Sequence, residues 1–298
     1  MRFFVIFLAV FLFGFEIFPV HGVKYDKEKA NLGRKLFFDK NLSKHNDISC
    51  AGCHNLKNYG VDNRRYSIGT GGVLDKPMNS MSVYNSVFNI GYFWNGRSDT
   101  LKQQVLSSLT DKKEHNLTVE EIESRVNSNA SYVNEFEKIY HKAPTINEIT
   151  EVIAEFQKSL ITPDAKFDRY LRGEVNLSKD ELEGFYKFKM YGCITCHNGI
   201  NVGGNSYQKL GVFFNRLDFK RGYDRYYVTG SKDDIYVYKV PSLRNVVKTY
   251  TYFHDGSIKS LKNAIKIMGE LNLGIEIPDD DISDIEKFLN TLTGKICK

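Results

Sequence analysis

The sequence predicts a mainly helical protein built as two similar domains, with short strands in the second. Three observations carry this. One motif, C-x-x-C-H, occurs twice, as Cys50-Ala51-Gly52-Cys53-His54 and Cys193-Ile194-Thr195-Cys196-His197. Each copy follows a helix-like stretch, Gly33-Arg34-Lys35-Leu36-Phe37 before the first and Gly184-Phe185-Tyr186-Lys187-Phe188 before the second. Most of the remaining chain has helical apolar periodicity. A length of 298 residues suits two domains. With 42% hydrophobic and 26% charged residues, the composition excludes collagen, coiled coil and bulk disorder. The balance of 41 basic and 36 acidic side chains is too even to imply nucleic-acid binding, so no nucleic-acid partner is expected.

The first element is a targeting segment. Met1 and Arg2 give a short positive region, residues 3–15 form an apolar run, and Val20-His21-Gly22 offers small residues for a peptidase. The run is shorter than the roughly 20 residues a membrane span needs. Residues 1–22 are therefore expected to be a signal peptide cut near Gly22, with the product exported to the periplasm. Leu32, Leu36 and Phe37 then share one helical face, as Leu182, Phe185 and Phe188 do later. Thr118 and Glu121 form a capping box that opens a helix. Residues 147–160 and 259–271 are amphipathic. Thr162-Pro163-Asp164 reads as a linker, dividing the mature chain into 23–163 and 164–298. The Tyr-rich stretch 223–240 alternates enough to contain short strands. Pro278 and the acidic residues 279–281 start a last helix with negative charge at its positive end. Gly294 is expected to close that helix. Cys297 reads as a free thiol near the chain end.

C-x-x-C-H is the attachment pattern of c-type haem. The two thiols add to the two vinyl groups of one macrocycle, and the adjoining His reaches the iron. The rivals are a thioredoxin-like redox pair and a zinc site. Two covalent haems, held by Cys50, Cys53 and His54 and by Cys193, Cys196 and His197, fit the repetition and the export signal best. A second axial ligand for one haem is sought among Met78, Met81, Met190 and Met268. Met190 lies three residues before Cys193, too near to wrap to the other face, while Met268 sits on a later amphipathic stretch.

The chain resembles the bacterial di-haem cytochrome c peroxidases over nearly all of its mature length. The resemblance is carried by Leu32-Gly33-Arg34-Lys35-Leu36-Phe37-Phe38-Asp39, Phe93-Trp94-Asn95-Gly96-Arg97, Val240-Pro241-Ser242-Leu243-Arg244-Asn245 and Tyr252-Phe253-His254-Asp255-Gly256-Ser257. It implies an enzyme that reduces hydrogen peroxide with electrons from a small periplasmic cytochrome c or cupredoxin. The first haem would be the peroxide site and the second would accept electrons. It further implies Met268 as the distal ligand of the second haem, and Glu114 as acid–base group with Gln104 as a supporting hydrogen-bond donor. Trp94 would lie between the haems, with Arg97 and Arg244 near haem propionates. A calcium ion would be held by Asn79 and by the carbonyls of Thr249 and Thr251, and His254 would be structural. A homodimer is the family's common state. Thr70 stands where many members carry a distal His, and a threonine hydroxyl is a poor haem ligand. His115 is a possible substitute, though a surface or supporting role suits it better. Two other readings are a related maturase acting on tryptophan residues of a protein partner, and a plain di-haem electron carrier. Met268 argues against the maturase, which has a Tyr there. Glu114 is superfluous in a carrier.

Overall fold

A computed structural model describes residues 16–74, 78–214 and 222–296. Within these lie helices α1 (Lys27–Phe38), α2 (Cys50–Cys53), α3 (Leu101–Thr110), α4 (Val119–Asn127), α5 (Ala130–Tyr140) and α6 (Ile146–Ser159) in the first half. The second half contains α7 (Lys166–Leu171), α8 (Lys179–Met190), α9 (Tyr226–Thr229), α10 (Leu261–Met268) and α11 (Asp279–Asn290). Strands β1 (Tyr207–Lys209) and β2 (Val237–Lys239) pair antiparallel, with Tyr207 opposite Lys239. The Tyr-rich stretch thus supplies one strand, and its partner lies earlier than expected. None of the described helices is long and apolar enough to cross a membrane. Most of the apolar run and Cys297 fall outside the described residues.

Each half has its own apolar core. Leu36, Phe37, Leu109, Ile149 and Phe156 are among the residues of the first; Phe167, Phe188, Ile285 and Phe288 are among those of the second. Both cores rest on one close helix crossing. A Cβ at Gly33 of α1 would lie 1.8 Å from the Val152 carbonyl oxygen on α6. A Cβ at Gly184 of α8 would lie 1.9 Å from the Asp284 carbonyl oxygen on α11. The two glycines in the matching stretches are therefore contact points that admit no side chain.

The repetition extends further than the motif contexts alone display. Pairs separated by a constant 160 positions (85 to 245, 93 to 253, 96 to 256) share a left-handed backbone: Asn85 and Asn245, Phe93 and Phe253, Gly96 and Gly256. The caps of α3 and α10, Thr100 and Ser260, keep the same spacing, and each side chain accepts a backbone N–H three residues on. The halves join by a reciprocal pair of bonds. Asn79 N donates to His254 O and Lys239 N donates to Trp94 O, both at 2.7 Å. Thr162 in the linker is fully buried. Its hydroxyl accepts from Asn85 Nδ2 at 2.8 Å and from Asn245 Nδ2 at 3.0 Å. This segment is a fastening point rather than a loose connection.

Helix α11 starts as its acidic first turn predicts, but Gly294 lies past its end. A Cβ there would sit 2.1 Å from Thr162 O, so close approach to the linker explains this glycine better than a helix stop. Ile296 then packs on the first core, while Ile17 packs in the second. Ile17 and Val20 are buried, Gly199 N donates to Glu16 O at 2.6 Å, and the Arg244 guanidinium donates to Phe18 O at 2.8 Å. A cut near Gly22 would remove a buried part of the second domain. Ile17 and Val20 thus pack with the folded chain.

A chain beginning at Val23 should therefore be less stable than one beginning at Glu16 when both are exported behind the same leader. Losing two buried aliphatic side chains costs about 1.5–3 kcal/mol each. That corresponds to a fall in Tm of roughly 5–15 °C at this size. Equal melting temperatures would show that the segment contributes nothing to the fold.

Candidate functional site

The first motif winds into the single turn α2, with His54 N donating to Cys50 O at 2.9 Å. The second makes the same turn, with His197 N donating to Cys193 O at 3.0 Å. One helical turn places side chains three apart on a common face. Each pair of thiols can thus address one edge of a single group while the following His points inward.

None of the four motif cysteines is in a disulfide. Burial pushes those of Cys50 and Cys193 up to about 12, and that of Cys196 also upward. A redox-active or nucleophilic cysteine has a lowered value, so this is not a thioredoxin-like pair. Among the described residues no cluster of three or more His, Cys, Asp or Glu could hold a metal ion, which removes the zinc reading. His54 Nδ1 lies 3.2 Å from Gly60 O, a contact that orients the ring. Burial pulls His197 down to about 4, keeping it neutral. Its Nδ1 is buried beside the backbone of Val202 and Pro241 without a hydrogen bond of ordinary geometry. Half-buried thiols outside any disulfide, each pair followed by an imidazole, fit a covalently attached haem in both lobes.

In the first lobe the motif faces a cavity with about 1350 Å³ of empty space, part of it open to solvent. Cys50, Cys53 and His54 form one wall. Trp94, Arg97, Gln104, Glu114 and His115 also line it. Gln104 Nε2 donates to Ser108 Oγ at 2.9 Å, and its Oε1 accepts from Gln157 Nε2 at 3.3 Å, so both ends of the amide are held. Glu114 is half-buried, and its carbonyl accepts Thr70 N at 2.9 Å. Trp94 Nε1 donates to Asn79 O at 2.8 Å, and its ring meets His254 edge-on at 6.4 Å. His254 in turn stacks on Tyr238 at 4.3 Å. Trp94 thus stands at the junction of the halves. Arg97 lies over the Phe93 ring and reaches Asp111 at 3.5 Å.

Thr70 is buried and faces away from ligand duty. Its hydroxyl donates to Asp47 Oδ1 at 2.6 Å and accepts from His45 N. Those bonds, with Gly71 N on the same carboxylate, hold Asp47 below the usual carboxylate range. His115 is no surface residue. It is buried, its Nδ1 bonds to Leu42 O, and its Nε2 lies 3.9 Å from Cys50 Sγ.

The other expected residues separate. Arg244 is buried in a two-pronged pair with Asp168, at 3.0 and 3.1 Å, and also holds Ile200 O. Its fork thus faces a carboxylate of the protein. Met190 is 65% exposed, which removes it as a ligand. Met268 ends α10, whose Leu261 and Ile265 pack in the same core as Cys193. Asn79 Nδ2 faces Arg64 O, Arg65 O and Thr251 Oγ1 at 2.9–3.1 Å, bringing three oxygens around one donor. Thr249 N–H instead donates to Val246 O at 3.3 Å. Sequence reasoning passed over Lys239 and Tyr92, which also line the cavity. Lys239 reads in sequence as one more solvated charge, and only its spacing of 160 from Asn79 marks it.

Residues 27–176 match the family described as di-haem cytochrome c peroxidase. The chain is 45% identical over 279 residues to a cytochrome c551 peroxidase of Nitrosomonas europaea, covering 93% of this chain and 83% of that one. It is 40% identical over 277 residues to the cytochrome c peroxidase Ccp of Escherichia coli K12, covering 90% of this chain and 59% of that longer one. Among solved structures, a MauG-like protein associated with microbial copper homeostasis superposes with a TM-score of 0.83 at 26% identity, over 94% of each chain. With a cavity lined by C-x-x-C-H in one lobe, a second C-x-x-C-H lobe behind it, and relatives of this identity along most of its length, the chain belongs to the di-haem cytochrome c peroxidase family.

Proposed function

We propose that this chain reduces hydrogen peroxide to water outside the cytoplasm, using electrons from a small cytochrome c or cupredoxin. The observation that carries the proposal is the first-lobe cavity, where a carboxylate, a fixed amide and the single Trp face the Cys50–His54 wall. Cys50 and Cys53 would hold one haem with His54 as axial ligand, and Cys193, Cys196 and His197 the other. When bound, the haems supply the redox chemistry that passes two electrons to peroxide. Two protons complete the conversion of one peroxide to two waters. Glu114 takes a proton from the nearer oxygen and returns it to the leaving one, the work a carboxylate does as acid–base group. Gln104, held at both ends, orients the oxygen that Glu114 serves. Trp94 gives the electron a short aromatic path between the lobes.

Met268 is proposed as the distal ligand of the second haem. Support comes from the repeat: position 108, its counterpart 160 residues earlier, is Ser108, a residue that lines the first cavity. The maturase reading has no such support, because Met268 occupies the place that branch gives to Tyr. Calcium is proposed at the oxygens gathered around Asn79 and Thr251, the kind of donors this ion takes. A homodimer is proposed from family membership. Export processing is proposed for the N-terminal segment, and the burial of Ile17 and Val20 supports a cut before them rather than near Gly22.

Three outcomes test the proposal. Glu114→Gln keeps the shape but cannot carry the proton, so steady-state peroxide turnover should drop roughly 10²–10⁴-fold. Wild-type turnover in that variant would remove Glu114 from the reaction. Met268→His should leave the second haem low-spin but lower its midpoint potential substantially, because imidazole replaces thioether. An unchanged potential would sink the assignment. Since Thr70 is bound to Asp47, the fully oxidised protein should show a high-spin ferric signal and react with peroxide without prior reduction. A purely low-spin, peroxide-inert oxidised form would mean that another side chain, with His115 nearest to hand, closes the site.

A further inference from the structure

We infer that Lys239, a residue of the second domain, is the cation that pairs with a propionate of the haem held by Cys50, Cys53 and His54. The inference rests on the haem reading above.

Lys239 is only 1% exposed, yet it lines the first-lobe cavity. Its ammonium meets Met81 Sδ at 3.9 Å, and a thioether is a weak acceptor. Burial alone pulls it down to about 8, and no carboxylate of the described residues offsets that effect. The other deeply buried cation is treated differently: Arg244 has Asp168 across from it at 3.0 Å. A buried charge without a partner is expensive, so folds seldom keep one that nothing neutralises. The missing partner is an anion that the described residues do not supply. A haem brings two carboxylates into this cavity.

The backbone fixes where Lys239 reaches. It ends β2, opposite Tyr207. Its N–H is bonded to Trp94 O, and its neighbour Tyr238 is stacked on His254. The side chain is thereby directed across the domain junction into the first lobe. Arg97, about one-third exposed and engaged with Asp111, lines the same cavity from its own domain. The haem's carboxylates would thus be held from both domains, with Lys239 as the dry contact. A positive charge there favours the electron-rich form of the first haem, and its removal should lower that haem's potential.

The test uses the exported, haem-loaded protein. A pyridine haemochrome assay first counts haems per chain; a wild-type count below two would defeat the haem reading itself, separately from this inference. Spectroelectrochemical titration then follows each haem by its own spin-state signature. Lys239→Met should lower the potential of the first haem and leave that of the second unchanged, while Lys239→Arg should stay near wild type. A Lys239→Met protein with two haems and an unshifted first potential would overturn the inference. If that variant does not accumulate, resonance Raman of wild type and Lys239→Arg decides. Propionate bending modes should shift as guanidinium replaces ammonium, and identical modes would also overturn the inference.

Discussion

Everything in this molecule hangs on two places where one helix lies directly against the backbone of another. At Gly33 and at Gly184 the partner carbonyl is so near that any side chain would have to displace it. Overpacking a core by even a few atoms costs about 1–3 kcal/mol, and here the obstacle is backbone, which yields least. Each crossing fixes the helix that leads into a C-x-x-C-H turn. Leu36 and Phe37 follow Gly33, and Phe185 and Phe188 follow Gly184, into the apolar core behind each motif. The position of each imidazole is therefore set by a contact made well before it in sequence.

The halves are joined by polar rather than apolar contacts. Asn79 and Lys239 exchange backbone bonds with His254 and Trp94. Asn85, Asn245 and Gly294 converge on the buried linker around Thr162. Buried polar networks of this kind tolerate little error, because each unsatisfied group costs about 1–3 kcal/mol. They specify one relative placement of the lobes. Trp94 sits at that junction with His254 edge-on to it, so the network that aligns the domains also aligns the aromatic path between them. The two ends of the described chain reinforce it by crossing over, Ile17 to the second core and Ile296 to the first.

Much of this was legible in the sequence, for identifiable reasons. The haem motifs, the helices capped by Thr118 and opened by Pro278, and the helical character of 147–160 depend on short-range patterns, and short-range patterns survive folding. The gathering of Gln104, Glu114 and Trp94 around one cavity followed from resemblance, since no spacing in the chain announces it. What escaped was long-range. The burial of Ile17 and Val20 goes with bonds from Gly199 and Arg244, far along the chain, to the backbone beside them. Gly294 was read as a helix stop because its true neighbour, the Thr162 carbonyl, is distant in sequence. Lys239 looked like any surface lysine because burial is not a local property.

The repeat explains how one scaffold can hold two different sites. Where the halves agree, at the crossing glycines, the left-handed Asn and the Phe-x-x-Gly loop, they build the same frame twice. Where they differ, they divide the chemistry. Helices α3 and α10 begin at Leu101 and Leu261, in register by 160 positions. The second carries Met268, and the first carries Ser108 at the matching place. A serine hydroxyl bonded to Gln104 cannot cap an iron as a thioether can, so under the proposed ligation the first lobe would keep space where Met268 would fill the second. After α3 the first half alone inserts α4 and α5, and the turn before that insertion presents Glu114 and His115 to the space left open. After α10 the second half goes through one wide turn, Gly269–Leu273, to α11. On the proposed function, an exchange of sulfur for hydroxyl and an added helical pair would turn two copies of one lobe into a reactive site and a closed one.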